Sequence, residues 1–391
     1  MYASVHADRT GRILVSDERE AAGLDGTHAV PIDEAIPADA AEVISLPRAA
    51  VAFDRAGRAR PLGRDRLAVA ALVPGHARLL MPAYVDDRAA PPLEPRAYAA
   101  VGADAAGRLV VAARAASAGT PPATGTLAAL RGLPANAVAR QLARCARENG
   151  CRAASTFGAG LLPVPLGAPA AERPALPIDL RSGYAGVVTE AAAFHPSADD
   201  IVEAALAHLA RGGTGVAFGR ACDGEPLARM GVLEESASRI RDRSPDAVVA
   251  LETSGSDPVA LRRALDAGVT SVSIRIVSAL AGTYDALHGP VAHRWKDVHA
   301  CLRLVAERAV ALTVALLLLP GLSDRPDEIE AMLALLGALP GGRLELRDLG
   351  TDHVRVFSRL PGARPLGMRT LFDRLAEADH FRVAPAAAVA L

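Results

Sequence analysis

Apolar and polar positions follow two different rhythms along this chain. Over roughly the first 115 residues, short apolar runs alternate with turn signals, the pattern of strands joined by tight connections. YASVHADRTGRILVS reads as two strands about an Asp-Arg-Thr-Gly turn, and RAYAAVGADAAGRLVVAARA repeats that logic about Ala-Asp-Ala-Ala-Gly. This predicts a β-rich N-terminal domain over residues 1–118. Gly119 to Gly125 is a Pro/Gly/Thr linker. A connector over 126–157 follows, in which Leu127, Leu130, Val138 and Leu142 have helical spacing.

From about residue 160 the rhythm changes to apolar runs separated by amphipathic helices. The runs are LLPVP (161–165), TGVAF (214–218), AVVAL (247–251), SVSIRIV (271–277), VALTVALLLL (310–319) and RLELR (343–347). Helices are expected near 199–211, 229–242, 257–267, 296–308 and 326–338. Runs of this kind predict parallel strands covered on both faces, wound by right-handed crossovers. Six repeats suit an α/β fold, a partial (β/α)6 TIM-type barrel over 158–352, with ligands at the C-terminal ends of its strands. The extension 353–391 shows one more helix near 367–378 and a last strand.

Composition narrows the function classes. The 391 residues hold 43 Lys+Arg and 44 Asp+Glu, and a net charge of −1 gives no electrostatic case for nucleic acid or an anionic membrane. Lys296 is the only lysine, which reads as the codon bias of a GC-rich genome. Hydrophobic residues at 51% exclude general disorder, while aromatics at 3% leave a core of Ala, Val and Leu. Four cysteines exclude a disulfide-stapled secreted fold. The N-terminus lacks a basic segment followed by an apolar one, and the longest apolar run, Ala309 to Leu319, is short of a membrane span. The expectation is a soluble cytoplasmic protein.

In such a fold, ligand chemistry belongs just after each strand. After the second comes Gly219-Arg220-Ala221-Cys222-Asp223-Gly224-Glu225, where Glu225 either faces a ligand ammonium or is a solvated loop acid. After the third comes Glu252-Thr253-Ser254-Gly255-Ser256-Asp257-Pro258, a ligand loop or a helix cap on Ser256 or Asp257. Ser273 and Arg275 share one face of the fourth strand, which either lines a cavity or has Arg275 snorkelling out of the sheet or pairing with an acid. His288, His293 and His299 match no short metal motif. No nucleophile elbow, phosphate loop or HExxH is present, and Gly212-Gly213-Thr214-Gly215 precedes a strand, so it reads as a turn.

Together, FGRACDGEPL, the long run LETSGSDPVALRRALDAGVTSVSIRIVSALAGTYDALHGP and LLLLPGLSDRPDEIEAML resemble the radical S-adenosylmethionine superfamily, in a subgroup related to activating enzymes. RCARENGC extends the resemblance into the first 157 residues. The resemblance implies a [4Fe–4S] cluster on three cysteines spaced CxxxCxxC, which cleaves S-adenosylmethionine to a 5′-deoxyadenosyl radical. It assigns Gly224 and Glu225 to the ligand's ammonium, and Thr253, Ser254, Ser273 and Arg275 to its carboxylate and ribose. The cysteine positions fall near Ala168, Glu172 and Ala175, and no cysteine occurs between Cys151 and Cys222.

Several functions follow as expectations. One is a degenerate family member that keeps an S-adenosylmethionine pocket, lacks the cluster and binds an unidentified protein or small molecule. Another is an active enzyme whose cluster is held by Cys145, Cys151 and Cys222 or supplied by a partner. A third is a non-radical barrel enzyme using Glu225, Asp223 or Arg275, and a fourth is a purely structural interaction protein. Cys301, beside Leu302 on a helix, is expected in the core.

Overall fold

The computed structural model describes residues 1–63, 65–73, 77–83, 93–94, 96–115, 132–149, 156–168, 178–179, 195–220, 224–288, 293–308, 310–357, 360, 362–378 and 382–383. Twelve short strands occupy the first 115 residues: β1 (Ala3–Ala7), β2 (Ile13–Asp25), β3 (His28–Pro31), β4 (Ile36–Pro37), β5 (Glu42–Ala49), β6 (Val51–Phe53), β7 (Ala59–Pro61), β8 (Leu67–Leu72), β9 (Ala77–Leu79), β10 (Tyr98–Ala103), β11 (Leu109–Val111) and β12 (Ala113–Ala115). Their pairings are antiparallel, and β1 lies against β2, β8 and β10.

Three turns in this part share one construction. Asp8, Asp54 and Asp104 each accept from the backbone N–H groups two and four residues on, at 2.8–3.0 Å. A glycine with positive φ, Gly11, Gly57 or Gly107, completes each turn. The first and third of these turns are those expected from the sequence; the second joins β6 to β7.

The rest of the chain alternates helix and strand: α1 (Ala137–Asn149), β13 (Leu161–Val164), β14 (Ile178–Asp179), α2 (Ala198–Leu209), β15 (Gly215–Phe218), α3 (Met230–Arg243), β16 (Val248–Thr253), α4 (Pro258–Asp266), β17 (Ser271–Ile276), α5 (Ala281–His288), α6 (Trp295–Glu307), β18 (Ala311–Leu318), α7 (Pro326–Gly337), β19 (Arg343–Asp348), β20 (Gly350–Thr351), α8 (His353–Phe357), α9 (Met368–Glu377) and β21 (Arg382–Val383). Strands β13, β15, β16, β17, β18, β19 and β21 form one sheet in chain order, every neighbour parallel. The protein is therefore of mixed α/β class. The six apolar runs are the first six of these strands, and the expected helices correspond to α2, α3, α4, α6, α7 and α9. The short helix α5 was not anticipated, because AGTYDALH carries no apolar stripe. The linker 119–125 and the first part of the expected connector lie outside the described residues.

Period-2 alternation gives this sheet two chemically different faces. Val249, Leu251, Val272, Ile274, Val314 and Leu344 belong to the large core shared with the helices. The residues between them share the other face: Glu252 lies opposite Ser273, which lies opposite Thr313, and Arg275 lies opposite Ala315, which lies opposite Glu345, with Arg347 two residues further along β19. Local chemistry fixes the helix ends. Ser197 and Asp200 form a reciprocal capping box on α2, and Asp257, the cap expected as an alternative to Ser256, accepts from Val259 and Ala260 at 2.9 Å to start α4. At the other end of α2, fully buried His208 accepts from Gly158 N–H at 2.9 Å, and its other ring nitrogen lies 3.0 Å from the Gly160 carbonyl.

The N-terminal strands pack over the C-terminal ends of β18 and β19. Arg48 and Asp352, each 1% exposed, form a two-pronged ion pair at 2.5 and 3.3 Å. Asp348 accepts from Leu79 N–H at 3.0 Å, and Thr351 N–H donates to the Arg96 carbonyl at 3.2 Å. The β2–β3 turn rests on the loop after β18 through two glycines. A Cβ on Gly321 would lie 2.3 Å from the Gly26 Cα, so only glycine permits this approach. Among the described residues no helix is long and apolar enough to cross a membrane.

Candidate functional site

The six residues singled out by sequence divide into two groups, because they straddle β16. Glu252 and Thr253 are consecutive in one strand, so their side chains leave it in opposite directions. Thr253, Ser254, Gly224 and Glu225 gather on one side. Ser273 and Arg275 meet Glu252 on the other.

Glu225 is the centre of the first group. Gly219 brings its loop close: φ is +78°, and a Cβ there would sit 2.0 Å from the Glu252 carbonyl oxygen. The Gly224 N–H then donates to the Ala168 carbonyl at 3.1 Å, tying the loops after β13 and β15. Glu225 is 2% exposed. Its Oε1 accepts from the Thr253 hydroxyl at 2.5 Å and from Leu227 N–H at 3.2 Å. Its Oε2 accepts from Ser254 N–H at 2.8 Å and the Ser254 hydroxyl at 2.7 Å. An ionised carboxylate offers about four acceptor positions, and four donors occupy them. Two of those donors are fixed backbone groups; the other two are hydroxyls that can turn away. Glu225 is thus a buried tie between two loops, not a solvated loop acid. It can receive an ammonium only in exchange for the Thr253 and Ser254 hydroxyls.

Glu252 is the centre of the second group. Arg347 grips it with both terminal nitrogens, at 2.8 and 3.0 Å, and Arg275 reaches it at 3.2 Å. Arg220 lies 3.4 Å away. Arg347 also binds Glu345 through two hydrogen bonds, at 2.9 and 2.8 Å. Burial opposes charge on Glu252, but the guanidiniums, Arg347 foremost, hold its carboxyl well below the usual carboxylate range. Of the two readings of Arg275, the structure shows the ion pair with an acid. The Ser273 hydroxyl, 4% exposed on the same face, has no hydrogen-bond partner among the described residues. Sequence inspection missed Glu252, Glu345 and Arg347 as a unit, although the alternation in RLELRD places Arg343, Glu345 and Arg347 on one face.

Cys301 is in the core: its thiol lies 3.3 Å from the Gly255 carbonyl, and burial, aided by the charge of Glu225, pushes it up to about 12. His288 stacks on Tyr284 with centroids 3.8 Å apart, and burial lowers it to about 4. His293 contacts the Tyr284 hydroxyl at 3.2 Å. Among the described residues, no three His, Cys, Asp or Glu side chains are grouped to hold a metal ion. Cys151, Cys222, Asp223, Glu172, Ala175 and the side chain of Cys145 lie outside the described residues.

The cysteine-held cluster implied by the resemblance does not fit the residues of this strand end. At the first of its three positions Ala168 presents a buried methyl group. Neither Glu172 nor Ala175 supplies a thiolate, and a [4Fe–4S] cluster of this kind needs three.

No family model matches the chain, and no curated protein matches it. Solved structures do show partial likeness. A domain of pyruvate-formate lyase-activating enzyme from Bacteroides vulgatus is 15% identical, with 44% of this chain and 99% of that one covered, at a TM-score of 0.33. Streptococcus suis SuiB bound to S-adenosylmethionine is 10% identical over 63% of this chain and 54% of that one, at 0.39. A radical SAM methyltransferase from Sphaerobacter thermophilus is 17% identical over 49% and 58%, at 0.33. At these scores the likeness says nothing about this chain's chemistry.

Proposed function

We propose that this protein is a partial barrel of the radical S-adenosylmethionine type that performs no radical chemistry and acts by binding, either a partner protein or a small molecule. The observation that carries this reading is the absence of any thiol between Cys151 and Cys222, where the cluster's ligands would stand. The commitments of Glu225 and Arg275 to protein partners agree with it. S-adenosylmethionine is the first ligand to try. Its ammonium would go to Glu225 beside Gly224 in exchange for the Thr253 and Ser254 hydroxyls. Its carboxylate would go to Arg275 and Ser273 in exchange for Glu252.

The test is iron and acid-labile sulfide content after anaerobic reconstitution. The expected result is neither above background. About four of each per chain, lost in Cys222→Ala, would overturn the reading in favour of a cluster on Cys145, Cys151 and Cys222. Calorimetric titration with S-adenosylmethionine then separates a ligand-binding protein, which gives a saturable heat, from a partner-binding scaffold, which gives none.

A further inference from the structure

The parallel sheet contains a built anion site whose occupant is part of the chain. Guanidiniums from three separate places, the end of β15, β17 and β19, converge on one carboxylate, and no two of them are adjacent in sequence. Arg347 meets it in the two-pronged geometry by which arginine recognises free carboxylates. Arg275 and Arg347 are nearly solvent-free, whereas the Arg220 side chain is 32% exposed and links the cluster to the outside. The unpartnered Ser273 hydroxyl, opposite Glu252 in the β16–β17 register, adds a further donor on the same face.

We propose that Glu252 is a tethered occupant of an arginine cage, filling the place that a small free carboxylate would take, so that the cage is closed to a ligand's carboxylate until Glu252 leaves. Each element fits this role. An acid delivered from the strand itself arrives with little loss of freedom, so it outcompetes a dissolved carboxylate at any ordinary concentration. Shortening its side chain removes the occupant and leaves the three guanidiniums in place. The site then accepts a one- or two-carbon carboxylate, the size of the group removed. The inference deepens the binding reading by naming what keeps the interior shut. Its test does not depend on S-adenosylmethionine or on iron.

The experiment is chemical rescue of the full chain. Wild type and Glu252→Ala are melted in sodium formate, sodium acetate and sodium chloride at equal ionic strength. Wild type should respond alike to the three salts. E252A should melt well below wild type in chloride and recover about 5 °C or more, saturably, in formate. Recovery of folded E252A from formate but not from chloride supports the cage equally. The isosteric Glu252→Gln still fills the space, so it should be destabilised without a formate response. The proposal is overturned if formate gives E252A nothing beyond what chloride gives, whether that variant melts normally or fails to fold in both. It is also overturned if E252Q responds to formate as E252A does.

Discussion

Glu225 and Glu252 make a controlled pair. Both are carboxylates buried to nearly the same degree, and Thr253, a partner of Glu225, directly follows Glu252 in β16. Glu225 is held only by neutral donors, two of them backbone groups and two hydroxyls. Glu252 is gripped by the guanidiniums of Arg220, Arg275 and Arg347. The first arrangement is local, since every partner lies within 29 residues of Glu225. It stitches loops together and can be loosened one hydroxyl at a time. The second spans up to 95 residues and is electrostatically interlocked, so removing one member strands the others. One strand thus carries a replaceable polar contact on one face and an all-or-nothing one on the other.

The largest test of that contrast is Arg347→Ala. It removes four charge-assisted hydrogen bonds from the buried Glu252 and Glu345, and the expected loss is about 3–5 kcal/mol in urea unfolding. A loss near that of a surface ion pair, about 1 kcal/mol or less, would show that Glu252 is less interlocked than its distances imply. Next is Glu225→Gln, which keeps the shape but puts an NH2 donor where one carboxylate oxygen now accepts two hydrogen bonds. About 2 kcal/mol is expected. Equal costs for E225Q and R347A would erase the distinction between the two sites. The smallest is Thr253→Val, which removes one of the four donors to Glu225. About 1 kcal/mol is expected, with the fold intact by circular dichroism.

A pH experiment sharpens the same contrast away from both sites. Asp324, buried in the loop after β18, is raised to about 7 by burial, with the nearby Asp25 adding to the effect. The folded state therefore binds a proton that the unfolded chain releases near 3.8. That stabilisation is fully present below about 4 and is lost as the pH rises to about 7, at no more than about 1.4 kcal/mol per unit. His288, lowered to about 4, has the opposite slope: its contribution is present above 6.5 and lost as the pH falls toward 4. In wild type the two slopes oppose each other between about 4 and 6.5. Asp324→Asn removes one of them. Relative to wild type, D324N should gain stability from pH 5 to pH 7.5, measured by urea midpoints at each pH. No change in the difference would place the Asp324 carboxyl in water.

The strands were legible because their apolar runs are separated by turn residues, and the cap at Asp257 was legible because capping is decided within four residues. Glu225 was found but its environment was not, since nothing in CDGEPL says that Thr253 and Ser254 come to meet it. The cage was the least legible. Arg275 was noticed with an acid as one of its readings, yet which acid depends on strand order, and Glu252 looked like the first residue of a polar loop. Arg347 lies 95 residues further on and is visible only as one beat of RLELRD. Local rules find elements and caps, whereas buried charge clusters belong to the sheet's register.

The Arg48–Asp352 pair has a consequence for the time course of synthesis. Its partners are 304 residues apart, and both are sealed from water once joined. At roughly 5–20 residues per second, a ribosome finishes the strands around Arg48 some 15–60 seconds before it delivers Asp352. Throughout that interval the guanidinium must stay hydrated, so the face destined for the β18–β19 ends stays open. The N-terminal strands are therefore translated first and sealed last, and nascent chains halted before residue 352 should be cut by protease at this face while the released protein resists.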